Sequence, residues 1–384
     1  MSQPLAVYVH WPYCAKVCPY CDFNVVRDRG RTDEQAALAA AIVEDLKGWR
    51  EATGPRRLTS IFLGGGTPSL MDPAAAARVI ETARALWDAE PDLEISLEAN
   101  PTDAEADRFE AFAAAGVTRL SLGVQALDDA SLAFLGRNHD ADTARRAARK
   151  AAATFPRLSL DMIYARPGQT PEGWAKELRE ALDFGPEHLS PYQLTIEAGT
   201  AFDRAVGRGR FTPPDPDLAA TLFETTQAVL EGAGFDAYEV SNHARGEAAR
   251  SSHNLAYWRG YDYAGVGPGA HGRLTGNVGR TATAAERRIG DYIERVARQG
   301  TGFESEHLTP LEAAEERLLM GLRIDAGVSF AEIAALGLAP GDEQIRHLVA
   351  EGLLVADSER LRATRQGRLV LDSLTAALIV RVLA

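Results

Sequence analysis

Outside one eight-residue stretch the chain has no cysteine: its three, Cys14, Cys18 and Cys21, all fall in Cys-Ala-Lys-Val-Cys-Pro-Tyr-Cys. An odd cysteine count, a length of 384 residues and no secretory leader argue against a disulfide framework. A positive excess is missing too. With 41 Lys and Arg against 54 Asp and Glu, the net charge is −13. That excludes broad nucleic-acid binding, which needs a basic face to displace counterions from phosphates. Lysine is absent from residues 301–384, where eight arginines meet thirteen acidic residues. The first residues carry no basic segment, and the longest apolar segment near the C-terminus is interrupted by Asp372 and Arg381. These absences predict a cytosolic protein, monomer or dimer, that is not membrane-spanning. Its 46% hydrophobic and 25% charged residues are ordinary for a globular chain.

What is present is a regular alternation of short apolar runs with amphipathic helical patterns. The strand expectations are Leu5 to His10, Leu58 to Leu63, Leu93 to Leu97, Arg119 to Val124, Leu158 to Ile163 and His188 to Thr195. Six such units predict an α/β fold, an open partial (β/α)6 barrel over residues 1–214. The Pro213 to Asp217 cluster ends the alternation, and a helix from Leu218 to Glu231 follows. Residues 215–300 are expected to be loop-rich additions beside the barrel, with glycine-rich Gly265 to Gly272 among them. Residues 301–384 predict a small winged-helix-like α+β domain: capping boxes at Thr309/Glu312 and Ser329/Glu332 start helices, and Leu353 to Ala356 pairs with Arg360 to Thr364. Its acidity favours an interaction or lid role over DNA binding.

Three thiolates can hold three irons of a [4Fe-4S] cubane and leave the fourth iron open. Zinc, with His10 as fourth ligand, is the alternative. Barrel chemistry sits at the C-terminal ends of strands. Those ends carry the cysteines, then Gly64-Gly65-Gly66-Thr67-Pro68, Glu98-Ala99-Asn100-Pro101, Gln125, Asp161 and Gln193. The glycines let backbone approach a ligand closely, and their N–H groups are expected to grip a carboxylate. Any one of these polar residues alone is equally well a cap or a loop residue.

The C-x3-C-x2-C motif after an N-terminal strand resembles the radical S-adenosylmethionine (SAM) superfamily. Tyr8-Val9-His10-Trp11-Pro12-Tyr13-Cys14, Leu97-Glu98-Ala99-Asn100-Pro101, Ser121-Leu122-Gly123-Val124-Gln125, Leu135-Gly136-Arg137 with His139, and Pro167-Gly168-Gln169-Thr170 extend the resemblance. They are similar to the oxygen-independent coproporphyrinogen III oxidase family and its haem-chaperone branch. The resemblance implies that Cys14, Cys18 and Cys21 bind a [4Fe-4S] cluster whose open iron SAM chelates. It implies that Tyr8, Tyr20, Gly66, Thr67, Glu98, Gln125, Arg137 and Asp161 line the SAM pocket. Arg137 can pair with a carboxylate, Glu98 and Asp161 with ribose hydroxyls or the amino group, and Tyr20 can pack near adenine.

Two features separate chaperone from oxidase. Cys21 is followed by Asp22-Phe23, where authentic oxidases resemble Cys-Gly-Cys. His253-Asn254-Leu255-Ala256-Tyr257-Trp258 resembles the HNxxYW motif linked to haem binding in the chaperone branch. This implies haem at His253, Tyr257 and Trp258, with haem-accepting proteins, respiratory enzymes among them, as partners and the electron donor undefined. His10, His139 and His271 are secondary haem candidates. The residues do not decide whether the chain is an enzyme, and no catalytic residue is assigned. Decarboxylation of coproporphyrinogen III with a SAM-derived radical is the alternative function. One departure stands out: Ala165-Arg166 follows Asp161-Met162-Ile163-Tyr164 where members commonly carry Gly-Leu, which leaves the geometry of that loop open.

Overall fold

The computed structural model describes residues 3–277 and 279–380; Arg381 lies outside them. The six predicted runs form strands β1 (Pro4–Trp11), β2 (Arg57–Gly65), β3 (Asp88–Ala99), β4 (Arg119–Gln125), β5 (Arg157–Tyr164) and β6 (His188–Gln193). They pair in parallel in chain order. Val9, Leu63, Leu97, Leu120 and Leu158 are successive register partners and form a buried row across the sheet. The residues between alternate with that row and are small and polar, Ser60, Ser96, Ser121, Ser159 and Ser190, all buried, so the strands read as apolar positions alternating with buried serines.

Helices α1 (Thr32–Thr53), α2 (Pro73–Leu86), α3 (Ala141–Thr154), α4 (Pro171–Leu182) and α5 (Pro216–Gly232) connect or follow these strands. The side chains of Asp72, Asp140, Thr170 and Asp215 cap four of them by accepting backbone N–H bonds, and proline opens three. Between β3 and β4 run two short helices, Asp103–Ala106 and Phe109–Ala114.

The segment beyond α5 differs from expectation. After α6 (Ser252–Trp258), strand β7 (Asp262–Val266) adds parallel to β1, so β1 is an inner strand. β8 (His271–Gly276) and β9 (Gly279–Ala285) continue antiparallel, and β10 (Phe303–His307) follows α7 (Ile289–Gln299). The expected glycine-rich loop is thus a sheet extension. Gly265 makes it fit, because a Cβ there would stand 1.9 Å from the His271 carbonyl oxygen. Two-residue strands at His243–Ala244 and Asp236–Ala237 complete a twelve-stranded open sheet on the β6 side.

The C-terminal residues close around their own apolar core, including Leu318, Val328, Ile333, Ile345, Leu361 and Leu378. Helix α8 (Pro310–Gly321) starts at the predicted Thr309/Glu312 capping box. The Ser329/Glu332 bonds also form, but they organise a turn and one 3-10 turn rather than an α-helix. Gly337, in the left-handed region, stops it there. β11 (Val328–Ser329), α9 (Glu343–Ala350), β12 (Leu354–Ala356), β13 (Arg360–Ala363) and α10 (Leu371–Val380) complete the module, with β12 and β13 forming the predicted hairpin. Among the described residues no helix is long and apolar enough to cross a membrane.

Candidate functional site

At the C-terminal ends of β1 to β6 a cavity of about 360 Å³ collects Cys14, Cys18, Cys21, Tyr20, Gly66, Thr67, Glu98, Gln125, Arg137 and Asp161. Asn100, Ser121, Tyr192 and Gln193 also line it. Of the residues assigned to the SAM pocket, Tyr8 alone is not at its wall. The Tyr8 hydroxyl lies 2.9 Å from His10 Nδ1, and its ring faces a neighbouring cavity.

The three thiols are free, and burial pushes that of Cys14 up to about 12. No three His, Cys, Asp or Glu side chains among the described residues are grouped to share a single metal ion. His10, the fourth ligand in the zinc alternative, has both ring nitrogens engaged, by Tyr8 and by the Asn24 carbonyl at 2.9 Å. Three separate soft donors at one cavity wall fit a cubane, which Cys14, Cys18 and Cys21 would hold through three of its irons.

Arg137 sits beside the thiols. Its Nη1 donates to Cys18 Sγ and to the Tyr20 hydroxyl, both at 3.3 Å, while Nη2 donates to the Gly123 carbonyl at 3.0 Å and to Asn100 Oδ1. These bonds brace the cysteine loop against β4. Burial, followed by the charge of Asp161, raises the Glu98 carboxyl to about 8. Burial also raises Asp161, whose oxygens accept from Ser121 Oγ at 3.1 and 3.0 Å. Both carboxyls therefore favour a proton or a cationic partner, which suits an ammonium or hydroxyl group entering between them.

The glycine triplet behaves differently from expectation. Gly65 N–H donates to Glu98 Oε2 at 3.0 Å, Gly66 N–H to the Trp11 carbonyl at 2.8 Å and Thr67 N–H to the Tyr13 carbonyl at 2.8 Å. These amides bind the protein's own carbonyls and the Glu98 carboxylate and are not left to grip a ligand's carboxylate. The glycines are required by the protein's own backbone: a Cβ on Gly66 would lie 2.7 Å from Tyr13 O and 2.8 Å from Pro12 C.

Gln125 adopts φ 65° and Ala165 φ 60°, the only non-glycine residues in the left-handed region among those described. The second value explains the departure at Ala165-Arg166. Glycine occupies that backbone conformation without strain; here alanine does so next to Arg166, which is buried and paired with Glu177.

The HNxxYW segment forms α6, and the structure separates its members. His253 is 1% exposed, with Nδ1 3.0 Å from Ser60 Oγ and Nε2 2.7 Å from the Tyr257 hydroxyl. Its ring stacks on Phe62 at 4.9 Å, and burial lowers its pKa to about 3. In this arrangement His253 has no nitrogen free for iron. Tyr257 and Trp258 do face a cavity, the one that Tyr8 borders.

Sequence reasoning did not single out Ser121 or Tyr192. Ser121 was within reach, since Ser121, Gly123 and Gln125 follow the period of two that puts them on one strand face. Arg119, two residues earlier, is 2% exposed, and its charge lowers both the Glu98 and Asp161 carboxyls against the effect of burial.

Comparison with known proteins matches residues 8–181 to the radical SAM superfamily and residues 308–370 to the HemN C-terminal domain. The chain is 35% identical to the heme chaperone HemW of Escherichia coli (strain K12), with 97% of each chain covered. It is 41% identical to the mitochondrial radical S-adenosyl methionine domain-containing protein 1 of Mus musculus, covering 98% of this chain and 88% of that one. Coproporphyrinogen III oxidase (HemN) from Escherichia coli superposes with a TM-score of 0.79 at 23% identity, over 98% of this chain and 90% of that one, so it shares the fold.

Proposed function

The chain belongs to the radical SAM superfamily and to the HemW-like group within it, and from that premise we propose that it is a haem chaperone. In this reading it binds a [4Fe-4S] cluster through Cys14, Cys18 and Cys21, holds SAM above it, and passes haem to acceptor proteins, respiratory enzymes among them. The observation that carries the proposal is the placement of Tyr257 and Trp258 at a cavity that shares Asp22, Phe23, Gly65 and Glu98 with the cysteine-lined one. A cysteine loop followed by Asp22-Phe23 thus stands between two ligand spaces.

The roles of the chain's own side chains follow from their chemistry. Glu98 and Asp161 accept hydrogen bonds from the amino group or ribose of SAM, Tyr20 packs beside its base, and Gln125 and Thr67 add polar contacts. Arg137 fixes the cysteine loop. A cluster bound there would supply one electron to SAM, and the protein contributes orientation and exclusion of water. Three unpaired thiols at an accessible wall suit a reducing, cytosolic setting.

The alternative is oxidative decarboxylation of coproporphyrinogen III. The likeness to the oxidase is one of fold at 23% identity, whereas the chaperone HemW of E. coli matches at 35%. Anaerobic reconstitution followed by separate haem-binding and coproporphyrinogen-turnover assays tests the proposal. Haem binding without turnover is expected; efficient SAM-dependent decarboxylation would replace the chaperone with the oxidase.

A further inference from the structure

The second cavity, about 600 Å³, is larger than the cysteine-lined one and lies across the wall formed by Gly65 and Glu98. Its lining is unlike that of a cleft left by packing. Tyr257 and Trp258 come from α6, Tyr263 from β7, His271 from β8, Arg287 from the loop after β9 and Met320 from α8. Three aromatic rings and a thioether supply flat, polarisable walls.

Three polar groups at these walls are unspent. His10 and His271 both border the cavity, but both nitrogens of His10 are engaged. Neither the His271 ring nor the Arg287 guanidinium makes a hydrogen bond or ion pair among the described residues. The Trp258 indole N–H is buried and also lacks a partner. A space of this size with aromatic sides, a free imidazole and a free guanidinium is complementary to a planar, carboxylate-bearing metal macrocycle. The imidazole supplies an axial nitrogen and the guanidinium a partner for a peripheral carboxylate.

His253, by contrast, is built into the wall. Its 2.7 Å bond to the Tyr257 hydroxyl, its bond to Ser60 and its stacking on Phe62 fix the face that α6 presents. Burial and the nearby Arg119 charge favour the neutral ring, in which one nitrogen donates and the other accepts.

Resting on the haem reading above, we propose that haem occupies this second cavity with His271 as its axial ligand and Arg287 pairing with a propionate, while His253 of the HNxxYW motif positions Tyr257 and does not touch iron. Coordination here is donation of a His271 nitrogen lone pair to iron, with a water or weak ligand displaced. Nothing is oxidised or reduced.

The test is a haem titration of the reconstituted full-length chain followed by absorption spectroscopy, on wild type and on His271→Gly, Arg287→Glu and His253→Gln. His271→Gly should shift the absorption spectrum and weaken binding at least as much as losing a metal's supporting partner does, about 10- to 100-fold. Added imidazole should restore the wild-type spectrum, which a merely structural role would not allow. Arg287→Glu should weaken binding with the wild-type spectrum kept, and His253→Gln should keep that spectrum. Iron and sulfide content of the cluster reports that each variant has folded.

If wild type binds haem and His271→Gly binds it with the same spectrum and affinity, the cavity assignment is overturned while the chaperone reading survives. The same holds if His253→Gln alone abolishes the spectrum in a variant with an intact cluster. A wild-type protein that binds no haem overturns both.

Discussion

Replacing Gly66 by alanine puts a Cβ 2.7 Å from the Tyr13 carbonyl oxygen, where ordinary contact begins at 3.4 Å. Relief requires a separation of about 0.7 Å, the difference of those two distances. The two chains cannot part by that much freely, because Gly66 N–H to Trp11 O and Thr67 N–H to Tyr13 O, both 2.8 Å, span the same junction. Stretched by that amount, they leave hydrogen-bonding range. Overpacking costs about 1–3 kcal/mol, and each of the two lost hydrogen bonds about 1 kcal/mol, so about 3–5 kcal/mol is expected. With about 2.1 cal/mol/K of unfolding entropy per residue, a 384-residue chain carries about 0.8 kcal/mol/K. The Tm should therefore fall by about 4–6 °C. Gly168→Ala is the control: its φ is +75° but nothing lies within 4 Å, so only backbone strain of about 1 kcal/mol applies. Scanning calorimetry of both variants, alongside iron content after reconstitution, measures the contrast. A Gly66→Ala protein that melts with wild type and loads the cluster fully would refute the claim that this glycine serves the β1–β2 junction.

Other outcomes follow from the same geometry. Cys14→Ala, Cys18→Ala and Cys21→Ala should each abolish the expected four irons per chain; intact cubanes in all three would remove the cluster assignment, and one zinc without sulfide would replace it. Asp45, which accepts from Tyr292 and Gly302, is raised from 3.8 to about 6 by burial. The unfolded chain gives up this proton first, so its contribution to stability is full below pH 4 and falls by about 3 kcal/mol as pH rises to 6. Asp45→Asn should remove that segment from the pH dependence of urea midpoints, and an unchanged slope would contradict it. Ala165→Gly relieves a left-handed alanine and should be neutral to about 1 kcal/mol stabilising, by the same midpoints; a loss of 1 kcal/mol or more would show that the loop is held otherwise.

The six parallel strands were legible because apolar residues recur at every second position in short runs separated by helical patterns, as in Leu158-Ser159-Leu160-Asp161-Met162. Strand β7 was not. Asp262-Tyr263-Ala264-Gly265-Val266 is short and contains the glycine that the close approach of His271 demands, and glycine in isolation signals a loop. The site showed the same division. Which residues gather at the strand ends follows from chain order, whereas how they spend their hydrogen bonds depends on contacts remote in sequence. The amides of residues 65–67 are consumed by residues 11, 13 and 98, and His253 by Ser60, 193 positions away. Motif spelling brought His253, Tyr257 and Trp258 together but gave no sign of the helix they form or that the His253 ring faces inward.

Residues 309–380 also bear on what a shortened chain would be. Arg317 Nη1 donates to the Trp258 carbonyl at 3.0 Å, Arg323 lies over the Trp258 ring at 4.6 Å and pairs with the fully buried Glu239, and Met320 between them closes one side of the aromatic cavity. A fragment ending near residue 300 would therefore be a damaged protein and not a minimal one. Glu239 would lose its counter-charge and its bridge to Ile324, and Trp258 would lose both its cover and the donor at its carbonyl. The module is grafted onto α6 through arginines, so swapping it for that of another protein would demand rewriting residues 238–260 with it.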